Sequence, residues 1–194
     1  MTTTLRSEIA PILSLEDWLN HPPENSEWVD GKLVNKHPQI WVDGEPFATD
    51  GMTLKHSRIQ AKLGYAWASY AESTGQGGVV YTEAPCRTHK QGRSPDVAYL
   101  TPELVAQFGN EKVLPQSFPF SAEIASPTDF AEDLITKAQE YLQSKGLEVW
   151  LVFPEAGWVI VLTATTRQIF IGAEVISTQV ILPGFKIRVD QLLA

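Results

Sequence analysis

A chain of 194 residues, 43% hydrophobic and 20% charged, has the make-up of one ordinary globular domain whose core needs no cross-links. No apolar run approaches the ~20 residues that span a bilayer, and the opening MTTTLRSEIAPILSL lacks the continuous apolar stretch of an export signal. The net charge of −8 argues against a broad basic surface for holding nucleic acid, so any polyanion must be met locally, with bound cations supplying positive charge. Cys86 is the only cysteine; with no internal disulfide partner it fits a reducing compartment, and the cytoplasm is the expected location.

In chain order, residues 1–13 read as a flexible arm ahead of a single domain over 14–194. Ser14 followed by Asp17 reads as a capping box opening a short helix with Leu15, Trp18 and Leu19, which must stop before Pro22 and Pro23. Glu27 to Val34 reads as a hairpin around Asp30-Gly31, and a second Trp-Val-Asp-Gly at 41–44 suggests a second one. From Leu54 to Ala71, Ile59, Leu63, Ala66 and Tyr70 recur at helical spacing. Short strands follow at 79–81, 86–88, 97–100 and 118–125, with at most one helical turn between 101 and 117.

A second helix is expected over 130–144, capped by Asp129 or Thr128, with Phe130, Leu134, Ala138, Tyr141 and Leu142 on its apolar face. Val149 to Phe153 is almost wholly apolar, as in a strand covered on both faces. Antiparallel strands are expected at 158–162, 168–171 and 180–182, and a last short helix at 189–193. The pattern predicts an α/β fold of the mixed α+β kind, with helices packed on a mixed sheet.

Within that frame three side chains stand out. On the 97–100 strand, Asp96, Ala98 and Leu100 share one face while Val97 and Tyr99 take the other. On the 118–125 strand, Glu123 sits mid-strand between small residues, where an ionised carboxylate is costly unless it is paired or coordinates a metal. The bland alternative is a structural ion pair with Arg87 or Lys137. On the 130–144 helix, Lys137 lies about 20° outside the apolar arc, so its stem can follow the core while its ammonium reaches the sheet edge. Glu140 and Asp133 point further out and read as solvated charges.

The ordered segments Ser94-Pro95-Asp96-Val97-Ala98-Tyr99-Leu100, Ala122-Glu123-Ile124-Ala125-Ser126-Pro127, Asp133 to Leu142 and Val149-Trp150-Leu151-Val152 resemble the Uma-type family of bacterial endonucleases, within the PD-(D/E)XK, restriction-endonuclease-like superfamily. Glu27-Trp28-Val29-Asp30-Gly31 and Lys55-His56-Ser57-Arg58-Ile59 match its usual opening, and the likeness runs from roughly 14 to 193. It implies a helix, a three-stranded meander, a second helix and a further strand, with an extra N-terminal hairpin and C-terminal antiparallel strands. Asp96 matches the motif aspartate and Glu123 the acidic residue of the (D/E)XK element. Ala125 stands where the superfamily has lysine; Lys137, on the following helix, is the matching position.

The resemblance thus implies Mg²⁺ or Mn²⁺ held by Asp96, Glu123 and the Ile124 backbone carbonyl, DNA as substrate and Lys137 beside the attacking water. Glu27, His56, Glu83, Gln139 and Tyr141 are further candidates around the site; Glu27 either joins it or merely flanks a hairpin. His21, His37 and His89 lack mutual ligand spacing, which argues against zinc. A homodimer is expected, since a second copy would widen a small cleft. The rival reading is a non-catalytic nuclease-fold module that binds nucleic acid or a protein partner.

Overall fold

A computed structural model describes residues 14–36 and 53–194, with the backbone of 39–42 and 45–48; the arm expected at 1–13 and the second Asp-Gly turn lie outside the described residues. Ser14 caps the first helix as expected: the Asp17 amide donates to Ser14 Oγ at 3.1 Å and opens α1 (Leu15–Asn20). Trp18 on this helix is wholly buried, and its indole N–H donates to Ser26 Oγ at 3.0 Å.

Strands β1 (Ser26–Val29) and β2 (Lys32–Asn35) form the first hairpin. Asp30 (φ +48°) and Gly31 (φ +77°) both adopt the left-handed conformation that a tight two-residue hairpin turn of matching twist requires. The second hairpin is β3 (Gln39–Val42) with β4 (Glu45–Ala48). Helix α2 (Leu54–Ser73) opens at Thr53, whose hydroxyl accepts from the His56 amide.

The chain then runs through β5 (Val79–Thr82), β6 (Cys86–Arg87), β7 (Gly92–Arg93), β8 (Val97–Leu100), α3 (Pro102–Phe108), β9 (Phe120–Ile124), α4 (Ala131–Gln143), β10 (Glu148–Phe153), β11 (Trp158–Thr163) and β12 (Arg167–Ile171). Six of these strands make the main sheet, in the order β12-β11-β10-β9-β8-β5, with β9 and β10 parallel and the other neighbours antiparallel. The expected meander is therefore β5-β8-β9, and α4 is the crossover that a parallel β9–β10 pair needs. Between β5 and β8 the chain leaves the main sheet to contribute β6 and β7 to a small sheet, ordered β2-β1-β7-β6.

The alternation read from the sequence sorts the two faces. Ile59, Leu63 and Trp67 of α2 pack with Val97, Tyr99, Phe120, Ala122, Ile124 and Trp150 on one side. Leu134, Ala138 and Tyr141 of α4 pack with Ala98, Leu100, Val149 and Leu151 on the other. Trp67 stacks on Phe120 with centroids 3.7 Å apart, pinning α2 to the middle of the sheet.

Four local expectations are corrected. Residues 180–182 are not a strand: the Gln179 and Val180 amides donate to Glu148 Oε2 at 2.7 and 2.9 Å, so a carboxylate takes donors that a ladder would have used. The same carboxylate accepts from the Trp150 indole through Oε1. The antiparallel ribbon there is β13 (Val175–Ser177) with β14 (Lys186–Arg188), followed by α5 (Val189–Leu193). Residues 102–108 form α3, two turns where one was expected, opened by Pro102, whose missing N–H costs nothing in a first turn. Finally, Phe130 rather than Asp129 or Thr128 caps α4, because the Asp129 carboxylate turns back to accept the Ser126 amide at 2.8 Å. The fourth correction concerns Glu140 and belongs to the site.

Candidate active site

The β7–β8 connection carries the chain from the small sheet to the main one in three residues, Ser94-Pro95-Asp96, and the candidate residues gather at that junction. Asp96, 4% exposed, is the best-held side chain of the group. Its Oδ2 accepts the Ile124 amide at 2.7 Å and faces His56 Nε2 at 3.2 Å; its Oδ1 accepts the Lys36 ammonium at 3.0 Å. Burial works to raise this carboxyl, but Lys36, His56 and the amide outweigh it and hold it well below the usual carboxylate range.

Glu123 is the opposite case. Tyr141 donates its hydroxyl to Oε1 at 2.6 Å, and the Lys137 ammonium stands 3.5 Å from Oε2. Burial dominates here, with the Asp96 charge adding to it against Lys137, and pushes the carboxyl up to about 7. Lys137 lies 3.4 Å from Glu27 Oε2 as well, and both carboxylates raise its pKa against the lowering effect of burial, so it stays an ammonium. The ion pair considered for Glu123 is thus made with Lys137; Arg87 instead meets Glu16 at 2.9 Å.

Glu27 joins the cluster. Its Oε2 accepts from Arg93 at 3.1 Å and its Oε1 from the Ser94 amide at 3.2 Å; burial raises its pKa, but Lys137, Arg93 and Lys36 bring it below the ordinary value. Glu83, at a left-handed turn (φ +53°), pairs with Lys36 and accepts the Gln60 amide at 2.8 Å. His56, at the start of α2, is buried, and its pKa is raised because the hydrogen bond and charge of Asp96 outweigh desolvation. Of the other candidates, Tyr141 lies inside the cluster, whereas Gln139 is exposed on α4 and outside it.

Lys36 and Arg93 were not singled out from the sequence. Arg93 adjoins the Ser94-Pro95-Asp96 motif, which could have flagged it. Its guanidinium grips Glu140 at 2.8 and 2.7 Å, so Glu140 is not the solvated charge expected but the far end of a bidentate pair. Lys36 follows an exposed strand, β2, and nothing in its neighbourhood separates it from a surface lysine.

Glu27, Lys36, His56, Asp96, Glu123 and Lys137 line one cavity of about 620 Å³. Among the described residues no three Asp, Glu, His or Cys side chains already converge as a metal cage. The donor set nevertheless fits a hard divalent cation: Asp96 and Glu123 offer oxygens to one space, and the Lys137 ammonium that pairs with Glu123 stands off at 3.5 Å. Such an open site suits an ion that keeps several waters, as Mg²⁺ does.

A family described as "Uma2: Putative restriction endonuclease" matches residues 36–190. Among solved structures, the crystal structure of a "putative nuclease belonging to DUF820" from Anabaena variabilis matches with a TM-score of 0.72, over 94% of this chain and 98% of that one, at 19% identity, which is a likeness of fold. No curated protein matches.

Proposed function

The chain belongs to the Uma2 family, and from that membership together with its cleft we propose that it hydrolyses DNA phosphodiester bonds with the help of a divalent cation. The observation that carries the reading is the meeting of Asp96, Glu123 and Lys137, from β8's entry, β9 and α4, in a single cavity. Asp96 and Glu123, with the Ile124 backbone carbonyl, are the groups that would hold Mg²⁺ or Mn²⁺. When bound, such an ion polarises a phosphoryl oxygen and lowers the pKa of water.

The chain's own side chains set up the rest. The Ile124 amide and His56 fix one oxygen of Asp96, and Tyr141 fixes one oxygen of Glu123, so both carboxylates are aimed before a ligand arrives. Lys137 is a poor general base because neighbouring carboxylates hold its proton. Its role is to keep positive charge where the phosphoryl group becomes more anionic and to position water beside Glu123. Arg93, clamped between Glu27 and Glu140, holds the small sheet against α4 and so fixes the cleft's far wall.

Incubating supercoiled plasmid with the purified chain and Mg²⁺ or Mn²⁺ tests this. Native protein should nick or linearise it, and Asp96→Asn, Glu123→Gln and Lys137→Met should each lose at least 100-fold in rate. Native protein that binds Mn²⁺ yet leaves double- and single-stranded DNA intact would overturn the reading. The net charge of −8 favours the second reading, a non-catalytic module docking on a protein partner, in that event. Sedimentation of the native chain would test the expected homodimer.

A further inference from the structure

Lys36 makes a contact set unlike that of an ordinary ion pair. Its ammonium meets three oxygens: a Glu83 carboxylate oxygen, the Ser94 carbonyl at 2.6 Å and Asp96 Oδ1 at 3.0 Å. An ammonium has three N–H groups, so each is used. The side chain is only 7% exposed although β2, which leads into it, is exposed along its length.

The three oxygens are also positioned from outside Lys36. Gln60 donates to Glu83 Oε1 at 2.8 Å and to the Asp96 carbonyl at 2.9 Å, tying the Glu83 turn to the start of β8. Two carboxylates and a backbone carbonyl about one point are the donors that hard metal cations take. Asp96 therefore faces two ways. Its Oδ1 belongs to the Lys36 cage, and the carboxylate also borders the cavity it shares with Glu123. Sites with two metals bridge them through such a shared carboxylate, about 3.5–4 Å apart.

We propose that Lys36 is a tethered stand-in for a second cation: its ammonium fills the Glu83–Ser94–Asp96 cage, so the cleft takes one divalent ion, on the Glu123 side of Asp96. The position of that one ion rests on the function proposed above; the closure of the cage by Lys36 does not. A covalently held cation forfeits no translational freedom on occupying its site and cannot be removed by a chelator.

Mn²⁺ stoichiometry, measured by titration calorimetry on the native chain and on Lys36→Ala, tests the proposal. Native protein should take one Mn²⁺ per chain and Lys36→Ala two, with a larger Mn²⁺-induced rise in melting temperature for the variant. A native chain that takes two, or a variant that takes no more than native, overturns it. If native takes none and the variant one, the Asp96–Glu123 metal reading fails while the cage inference stands.

Because removing a cation from between two carboxylates can block folding, a second measurement uses the native chain alone. Reductive methylation of lysines, mapped by mass spectrometry with and without Mn²⁺, should leave Lys36 unmodified in both states. Methylation of Lys36 on adding Mn²⁺ would show the metal displacing the ammonium and would overturn the proposal.

Discussion

Tyr141 donates its hydroxyl to Glu123 Oε1 across 2.6 Å, so the inner face of α4 sets the aim of a carboxylate in the middle of β9. Both side chains are buried, and the bond leaves Oε2 as the oxygen nearer Lys137. Tyr141→Phe removes the donor while keeping the ring. A lost hydrogen bond to a buried, partly ionised group costs about 1.5–3 kcal/mol. Urea unfolding of the metal-free chain should show that loss; an unchanged midpoint would mean that the bond contributes nothing.

The metal-free chain should be more stable at pH 5.5 than at pH 8. Glu123 is raised from 4.5 to about 7 in the folded state, so folding favours its protonated form and its contribution worsens as pH climbs through that window. Glu83, raised by burial, has the same sign. His56, raised through Asp96, contributes stability that is full below 6.5 and lost as pH rises through its folded value. The depressed Asp96 opposes this only below its unfolded value of 3.8. A net effect on the order of 2 kcal/mol corresponds to ~4–8 °C for a chain of this size. Calorimetric melting in chelator at the two pH values measures it, and a higher melting temperature at pH 8 would refute an under-compensated Glu123.

Cys86 should resist thiol reagents in the folded protein. It is wholly buried, and burial with the Glu27 and Glu123 charges pushes its thiol far up, so almost no thiolate forms near neutrality. A disulfide reagent at pH 8 should release its chromophore only after denaturant is added. Stoichiometric reaction of the native chain within seconds would contradict this environment.

Two glycine substitutions should act in opposite directions. A Cβ on Gly92 would lie 2.4 Å from the Trp18 ring, whose neighbours leave it no room to retreat. Gly92→Ala should cost about 1–3 kcal/mol by overpacking, and it would disturb the adjoining Arg93. On α2, a Cβ at Gly64 meets Val80 and Val97 at ordinary contact distances of 3.8 and 3.9 Å. Gly64→Ala should stabilise by about 0.5–1 kcal/mol through helix propensity. Denaturation midpoints of the two variants should therefore move apart.

What the sequence reveals divides along a physical line. Alternation and helical spacing report which face of one element a side chain occupies, and they located the sheet's two faces, the buried strand β10, the suspicious Glu123 and the inward reach of Lys137. Asp96 looked ordinary by spacing and needed the family resemblance to stand out. Lys36 and Glu140 escaped both routes, because their partners lie 60 and 47 residues away, on other elements of the fold. A lysine after an exposed strand and a glutamate on a helix's outer side carry no local sign of such partners. The same limit explains the misread 180–182 segment, whose backbone is taken by Glu148 from another part of the chain.

The Ile124 amide lies on β9 beyond the last residue that β8 pairs, and Asp96 Oδ2 accepts its hydrogen bond in place of a strand carbonyl. One backbone N–H is therefore bonded directly to the carboxylate on which the site turns. Any event at that carboxylate, whether it gains a cation, changes partner or is replaced, alters the bond this amide makes. Its NMR chemical shift and hydrogen-exchange rate would register the occupancy of the site in solution, with no substrate.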